Sequence, residues 1–275
     1  MKKIKGLFLA EGMTPHEVKR NGWTDEQPLD AIYENTDNHA AVIYGPNPLS
    51  NEIEFFRKTV AQNEGEVFGM FHAHHSDDDR AWAASYAKRV FANGLYPVVN
   101  EASDLPDAID NLSLHLNQAH EVVNYNNQRR ELCQAIASAV LVWVCRIQEN
   151  GMQRNFIVSA NVGKGMAFKV PKNISNEKIA PLFVEPVDNN GEPLIPVIGE
   201  ADIDIAPHPP LEANRGDKVV ILSGPVKPDL VGESKIYDDI RDAVSAGKDK
   251  LEIAAILTNK RRKLGQACLA AVIEI

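Results

Sequence analysis

Cysteine is scarce. The 275 residues hold three, Cys133, Cys145 and Cys268, too few and too scattered for a disulfide framework or a zinc cluster. That fits a reducing compartment. Positive charge is in deficit: 29 Lys and Arg against 38 Asp and Glu leave a net charge of −9, which argues against general affinity for nucleic acid or for an anionic membrane. Long apolar runs are missing too. The longest, about Ala135 to Cys145, is about half of what a membrane helix needs. Lys2 and Lys3 precede only a short apolar stretch, broken by Lys5 and Gly6 and followed by Glu11, which does not make a secretory leader. A soluble, cytoplasmic protein is the expectation. There is no internal repeat, no Gly-x-Ser-x-Gly elbow and no phosphate loop.

What remains is ordinary globular material, 44% apolar and 24% charged. Ile4 to Ala10 reads as a strand, His39 to Tyr44 as another before the turn Gly45-Pro46-Asn47-Pro48, and Glu66 to Phe71 as a third. Ser50 to Gln62 reads as a short helix, because Ile53, Phe56 and Val60 recur at helical spacing. A helix is expected from about Asp77 to Asn93, ended by Gly94, and a second from about Asp104 with a stripe of Leu105, Ile109, Leu112, Leu116, Ala119 and Val123. Ala135 to Ile147 reads as a long buried strand. Asn155 to Ala160 and Met166 to Val170 read as a hairpin around Gly163-Lys164-Gly165. Pro181 to Gly216 holds seven of the sixteen prolines, which favours loops and edge strands over a helix; whether Pro181 to Pro210 forms a mobile flap stays open in the sequence. Lys218 to Leu222 is a strand, Ile236, Ile240 and Val244 mark a helix, Leu251, Ala254 and Ala255 mark another, and Cys268 to Ile275 closes the chain as a strand. Strands mostly follow strands and helices come in pairs, so the class is α+β with antiparallel sheets covered by helices.

One stretch looks chemical. Phe71-His72-Ala73-His74-His75-Ser76-Asp77-Asp78-Asp79 gathers three imidazoles and three carboxylates at a strand end leading into a helix. In an extended backbone His72 and His74 point the same way, a pair that suits a transition metal. A second reading stays open: Ser76 or Asp77 caps the helix, and Asp78 and Asp79 sit in its first turn, where the macrodipole favours negative charge. The basic cluster Lys260-Arg261-Arg262-Lys263 is read as the cationic end of a helix, with phosphate binding as the alternative.

The order of these segments resembles the metal-dependent protein phosphatases, the type 2C (PPM) serine/threonine family. That family's Asn-Glu/Gln-Asp before a strand resembles Asn35-Thr36-Asp37 before His39. Its Phe-Gly-Val-Phe-Asp-Gly-His-Gly-Gly resembles Phe68 to Ser76, and its Ala-Asn-Val-Gly-Asp-Ser-Arg-Ala resembles Ala160 to Ala167. Its Gly-Asp, strand, Ser-Asp-Gly is similar to Gly216-Asp217 through Leu222-Ser223-Gly224, and its final Asp-Asn falls on Gly265-Gln266. The resemblance spans about Ile4 to Ile275. It implies one domain over 1–275, a four-layer αββα sandwich of two antiparallel sheets flanked by helices.

The family hydrolyses phosphoserine and phosphothreonine on proteins with two Mg²⁺ or Mn²⁺ ions, and here the departures fall on that chemistry. The bridging Asp is His72, its Gly is Ala73, and the later ligand Asp positions are Gly224 and Gly265; Asp37 alone stays acidic, with Thr36 as its neighbour. The family's phosphate-holding Arg has no recognisable counterpart at Lys19-Arg20-Asn21-Gly22. Two ions bring about +4 and this cage offers about −1, so losing three carboxylates should abolish the binuclear centre. The resemblance therefore implies a pseudophosphatase without a cofactor, acting on a protein partner such as a phosphoprotein, a kinase or an active phosphatase. The alternative is a phosphohydrolase with a rewired centre, in which Asp37, His72 and His74 hold one Zn²⁺ or Mn²⁺ ion.

Overall fold

The structure is a computed structural model describing residues 2–4, 7–9, 31–44, 53–60, 65–73, 82–99, 105–129, 135–149, 151–175, 177–183, 197–200, 203, 205, 208–223, 233–262 and 268–275. Its strands, in chain order, are β1 (Lys2–Ile4), β2 (Leu7–Leu9), β3 (Ala31–Asn35), β4 (His39–Tyr44), β5 (Ile53–Val60), β6 (Gly65–Ala73), β7 (Ala137–Glu149), β8 (Met152–Val162), β9 (Met166–Val170), β10 (Ala180–Pro181), β11 (Leu211–Ala213), β12 (Lys218–Leu222) and β13 (Cys268–Glu274). The helices are α1 (Trp82–Val99), α2 (Leu105–Gln128), α3 (Glu233–Ser245) and α4 (Lys250–Arg262). One sheet runs β1-β2-β3-β4-β13-β12-β9-β10 and the other β11-β8-β7-β6-β5. All pairings are antiparallel except β2 with β3, where Phe8 meets Ile32 and Leu9 meets Tyr33 in parallel register.

Period-two alternation builds four layers from these strands. On β6, Phe68 and Met70 enter the layer between the sheets, where they meet Ala41, Ile221 and Leu269 of the other sheet. Val67 and Phe71, one residue out of phase, point away and are covered by α1 and α2 through Phe91, Leu112 and Leu116. The outer face of the larger sheet is covered by α3 and α4, with Phe168, Val220 and Val272 against Ile240 and Ala254. This is the αββα sandwich. No helix among the described residues is long and apolar enough to cross a membrane.

Several expectations change. Within the helix expected over Ser50 to Gln62, the described residues Ile53–Val60 form a strand: β5 pairs with β6 over eight positions, from Ile53 opposite His72 to Val60 opposite Gly65. Its Ile, Phe, Thr and Val suit a pleated surface, and apolar residues on both faces erase simple alternation, so helical spacing arose by chance. The first strand is two short ones, β1 and β2, paired Lys2 to Leu9 and Ile4 to Leu7. The strand β3 gave no separate signal. Helix α1 continues through Gly94 to Val99; a glycine costs a helix only about 1 kcal/mol and does not by itself end it. Residues 77–81, the expected start of that helix, lie outside the described residues.

The remaining helices obey local rules. Pro106 falls in the first turn of α2, where its missing N–H costs nothing, and Asp107 follows it at the positive end of the dipole. Helix α4 opens on a reciprocal cap: Glu252 N donates to Asp249 Oδ1 at 2.8 Å and Asp249 N to Glu252 Oε2 at 3.0 Å. It ends at Arg262, so Lys260, Arg261 and Arg262 occupy its last turn by position.

Within the Pro-rich stretch, β10 and β11 are edge strands of opposite sheets, and residues 184–196 lie outside the described residues. Ile198 bridges Ala137. Asn127 holds Ala135 N and O, each at 2.8 Å, and also reaches Gly199 O at 3.0 Å. Asn117 holds Ile205 N and O, each at 3.1 Å. Gly199 has φ 94°, and a Cβ there would stand 2.1 Å from Ala135 O, so only glycine fits this close approach.

Candidate functional site

Both sheets end together at one edge of the sandwich. Here β6 ends, with His72 opposite Ser138 and Ala73 opposite Ala137, and β12 ends with Leu222 opposite Met166 and Ala270. Residues Gly163 to Gly165 carry the chain across the gap. β8 and β9 do not pair with each other, contrary to the expected hairpin: β8 belongs to one sheet and β9 to the other. The crossing is tight. Gly163 has φ 79° and a Cβ there would stand 2.2 Å from Ser138 Oγ, which accepts the N–H of Lys164 at 2.8 Å.

His72 shares its strand face with Phe68 and Met70, so its half-buried imidazole faces the inter-sheet layer at this edge. Ser138 alternates with Val140 and Val142 and faces the same way. Ser223, fully buried, accepts the N–H of Leu269 at 2.5 Å and donates its own N–H to Leu269 O at 2.9 Å, closing β12 on β13. Ala73 is buried on the helical side. These sandwich-facing positions thus carry an imidazole and two hydroxyls, with Ser138 and Ser223 each already accepting a backbone N–H. Among the described residues no three His, Cys, Asp or Glu side chains cluster closely enough to hold a metal ion. That donor set does not suit hard divalent ions, which need several oxygen ligands and negative charge.

Asp37 is not part of this edge. It is exposed in the turn between β3 and β4, beside Asn38, whose amide donates to the Glu66 carboxylate near the start of β6. His72 lies six residues further along that strand, about 20 Å away at the usual rise. Asp37 and His72, two members of the expected set Asp37, His72 and His74, are thus separated by most of the length of β6. The cause is strand direction: β4 runs from His39, opposite Ile273, to Tyr44, opposite Cys268, so the residues just before it fall at the far edge. His74, Gly224 and Gly265 lie outside the described residues.

The far edge holds a polar cluster that the sequence reading passed over. His39, fully buried, sits against the rings of Phe55 and Phe68 at 5.6 and 5.4 Å between centroids. Its Nε2 is 2.7 Å from Glu34 Oε1, and its Nδ1 is 2.7 Å from Thr36 Oγ1 and 3.1 Å from Asn38 Oδ1. The pattern Glu34-x-Thr36-x-Asn38-His39 around one turn was the available signal. Thr36 Oγ1 also accepts the N–H of His39 at 3.3 Å, so the hydroxyl serves the turn. Cys145 is no nucleophile, because burial pushes its thiol up to about 12.

Three other histidines are held neutral by burial. His115, His120 and His208 all lie below the usual imidazole range, with desolvation the largest cause in each. His120 Nδ1 accepts the N–H of Gly199 at 3.2 Å, which requires that nitrogen to be unprotonated. Their folded pKa values are below the unfolded one, so acidification below about 6.5 loads protons on the unfolded chain first and stability falls. The loss levels off below the folded values. Urea midpoints should therefore drop between pH 7.5 and 5.5, and drop less in His120→Gln; equal slopes in both proteins would remove His120 from this account.

No protein-family model matches the chain, and no curated protein matches it. Solved structures do. PppA, a regulatory component of the type VI secretion system in Pseudomonas aeruginosa, is 13% identical, with 88% of this chain and 97% of that one covered and a TM-score of 0.62. The serine/threonine phosphatase PstP of Mycobacterium tuberculosis is 11% identical over 86% of this chain and 97% of that one, TM-score 0.59. The PstP catalytic domain in complex with two manganese ions gives 9%, 86%, 97% and 0.58. The chain has the fold of the type 2C serine/threonine phosphatases.

Proposed function

We propose that this chain is a type 2C phosphatase-like domain that does not hydrolyse phosphate esters and works by binding another protein: a phosphoprotein, a kinase or an active phosphatase. The observation that carries the reading is His72, an imidazole facing between the sheets at the strand end that the resemblance matches to the bridging aspartate. With Asp37 at the far edge, the carried-over positions His72, Ala73, Gly224 and Gly265 supply no carboxylate. A dication and a carboxylate at about 4 Å are worth about 8 kcal/mol at an effective dielectric of about 20. An edge without such pairs has nothing to repay the desolvation of two dications.

The competing reading is a phosphohydrolase with one Zn²⁺ or Mn²⁺ ion on His72 and His74, favoured by the inward-facing His72 and, in the sequence alone, by the two-residue spacing of the pair. Metal analysis after dialysis separates the two, together with p-nitrophenyl phosphate turnover in excess Mn²⁺. The first reading expects no stoichiometric metal and no turnover above the His72→Ala background. One retained ion that is lost in His72→Ala selects the second. Turnover requiring two Mn²⁺ ions, as two are bound in the PstP complex, would sink the first.

A further inference from the structure

We propose that the outward face of α2 is a homotypic docking surface on which a second copy of this chain lies antiparallel. Among the described residues four large apolar side chains are well exposed, and three belong to this helix: Leu114 at 48%, Val122 at 45% and Tyr125 at 52%. The helix is already anchored through its opposite face by Leu112, Leu116 and Val123. The exposed apolar groups are therefore surplus to this chain's own core.

Their spacing is informative. Asp107, Asn111, Leu114, Gln118, Val122, Tyr125 and Arg129 follow one another at intervals of four, three, four, four, three and four. That is two eleven-residue repeats, close to the natural helical period, so the row stays within about 40° of one line over a length of about 33 Å.

The row is also palindromic about Gln118. Reversing it exchanges Asp107 with Arg129, Asn111 with Tyr125 and Leu114 with Val122, and returns Gln118 to itself. An antiparallel pair with its two-fold axis at Gln118 thus puts acid opposite base at both ends and Leu opposite Val on either side of the centre. On the axis, two carboxamides can donate to each other. Arg129 is held for this role, its guanidinium 4.1 Å from the centroid of the Tyr125 ring on the same face.

The parallel alternative would bring Asp107 onto Asp107 and Arg129 onto Arg129, and would align the two macrodipoles unfavourably. The charge order therefore selects a second copy and its direction together, an isologous contact that closes on itself. One helix pair is small for an interface, so a dimer dissociating in roughly the micromolar range is expected.

Sedimentation equilibrium of the full chain tests this. Wild type should dimerise with rising concentration, and Leu114→Glu should stay monomeric. Arg129→Glu should weaken the dimer by about tenfold, and Asp107→Arg with Arg129→Glu should restore it to within about threefold. Geometry is tested separately by mild oxidation. Gln118→Cys should give a covalent dimer much faster than Gln128→Cys, which is exposed on the same helix but off the row. Matching melting curves show that each variant is folded. A wild type that stays monomeric at about 100 µM overturns the proposal; so does a Gln118→Cys chain that cross-links no faster than Gln128→Cys.

Discussion

Replacing Trp143 by alanine is expected to cost about 4 kcal/mol of stability, lowering the melting temperature by about 10 °C for a chain of this size. Trp143 is fully buried at the middle of β7, opposite Val67 of β6 and Val158 of β8. Its indole belongs to the layer filled from above by Leu112 and Leu116 of α2. Neither a sheet nor a helix on top of it can collapse far into the void, which is where large-to-small costs are highest. Phenylalanine behaves differently. The indole N–H finds no acceptor among the described residues, so Trp143→Phe removes an unpartnered buried donor along with part of the ring. It should cost about 1 kcal/mol or less. Urea unfolding followed by far-ultraviolet circular dichroism gives both values, and similar losses for the two variants would contradict this packing.

Asp217→Ala should cost about 3 kcal/mol, although only a small side chain is removed. Asp217 is 2% exposed. Its Oδ1 accepts the N–H of Lys172 at 3.0 Å, its Oδ2 accepts that of Asn214 at 2.9 Å, and Lys169 Nζ stands 3.2 Å from Oδ2. Its own O accepts Ile275 N at 3.0 Å. The carboxylate thus ties β9 and the chain beyond it to the turn before β12, while the backbone carbonyl of the same residue holds the chain end after β13. Alanine leaves two backbone donors without their acceptor and the Lys169 ammonium with the Glu212 carbonyl but no counter-charge, and orphaning such groups costs more than the net worth of the bonds. Asp217→Asn keeps one carbonyl oxygen but not the charge, and should lose about half as much. Equal melting curves for wild type and Asp217→Ala would show the carboxylate to be replaceable by water.

These two residues also mark what was legible beforehand. Ala135 to Ile147 read as a long buried strand because almost every residue is apolar, and β7 with Trp143 lies there. Lys218 to Leu222, between Gly216-Asp217 and Ser223, was bounded at the residue level. The outline of the sandwich followed, because a strand buried on two faces has few other ways to be written. At Ile53 to Val60 the reading was misled: β5 is an edge strand whose apolar residues are divided between its faces, Ile53 and Phe55 toward the other sheet and Phe56 toward the helices, so no period of two shows, and three apolar residues at helical spacing looked like a helix face.

The site was less legible than the fold. Its family positions can be matched by order along the chain, but which edge of a sandwich a turn reaches depends on strand direction, and direction is fixed by partners far away in sequence. Asp37 precedes β4, and β4 runs with His39 opposite Ile273 near the end of β13. Nothing within ten residues of Asp37 says so. The His39 cluster escaped notice for the opposite reason: its residues are neighbours, but Glu, Thr, Asn and His around a turn are commonplace until the imidazole proves to be fully buried.

The connector from Gly163 to Gly165 has a parity. As built, it delivers Ala167 to the gap between the sheets and Phe168 to the side of α3, against Tyr237. One residue more or fewer would exchange them, forcing a benzyl group into a space shaped for a methyl and leaving a hole outside. Even changes in its length keep that handover, and odd ones invert the whole of β9. The three-residue bridge therefore acts as a counting device for the sandwich.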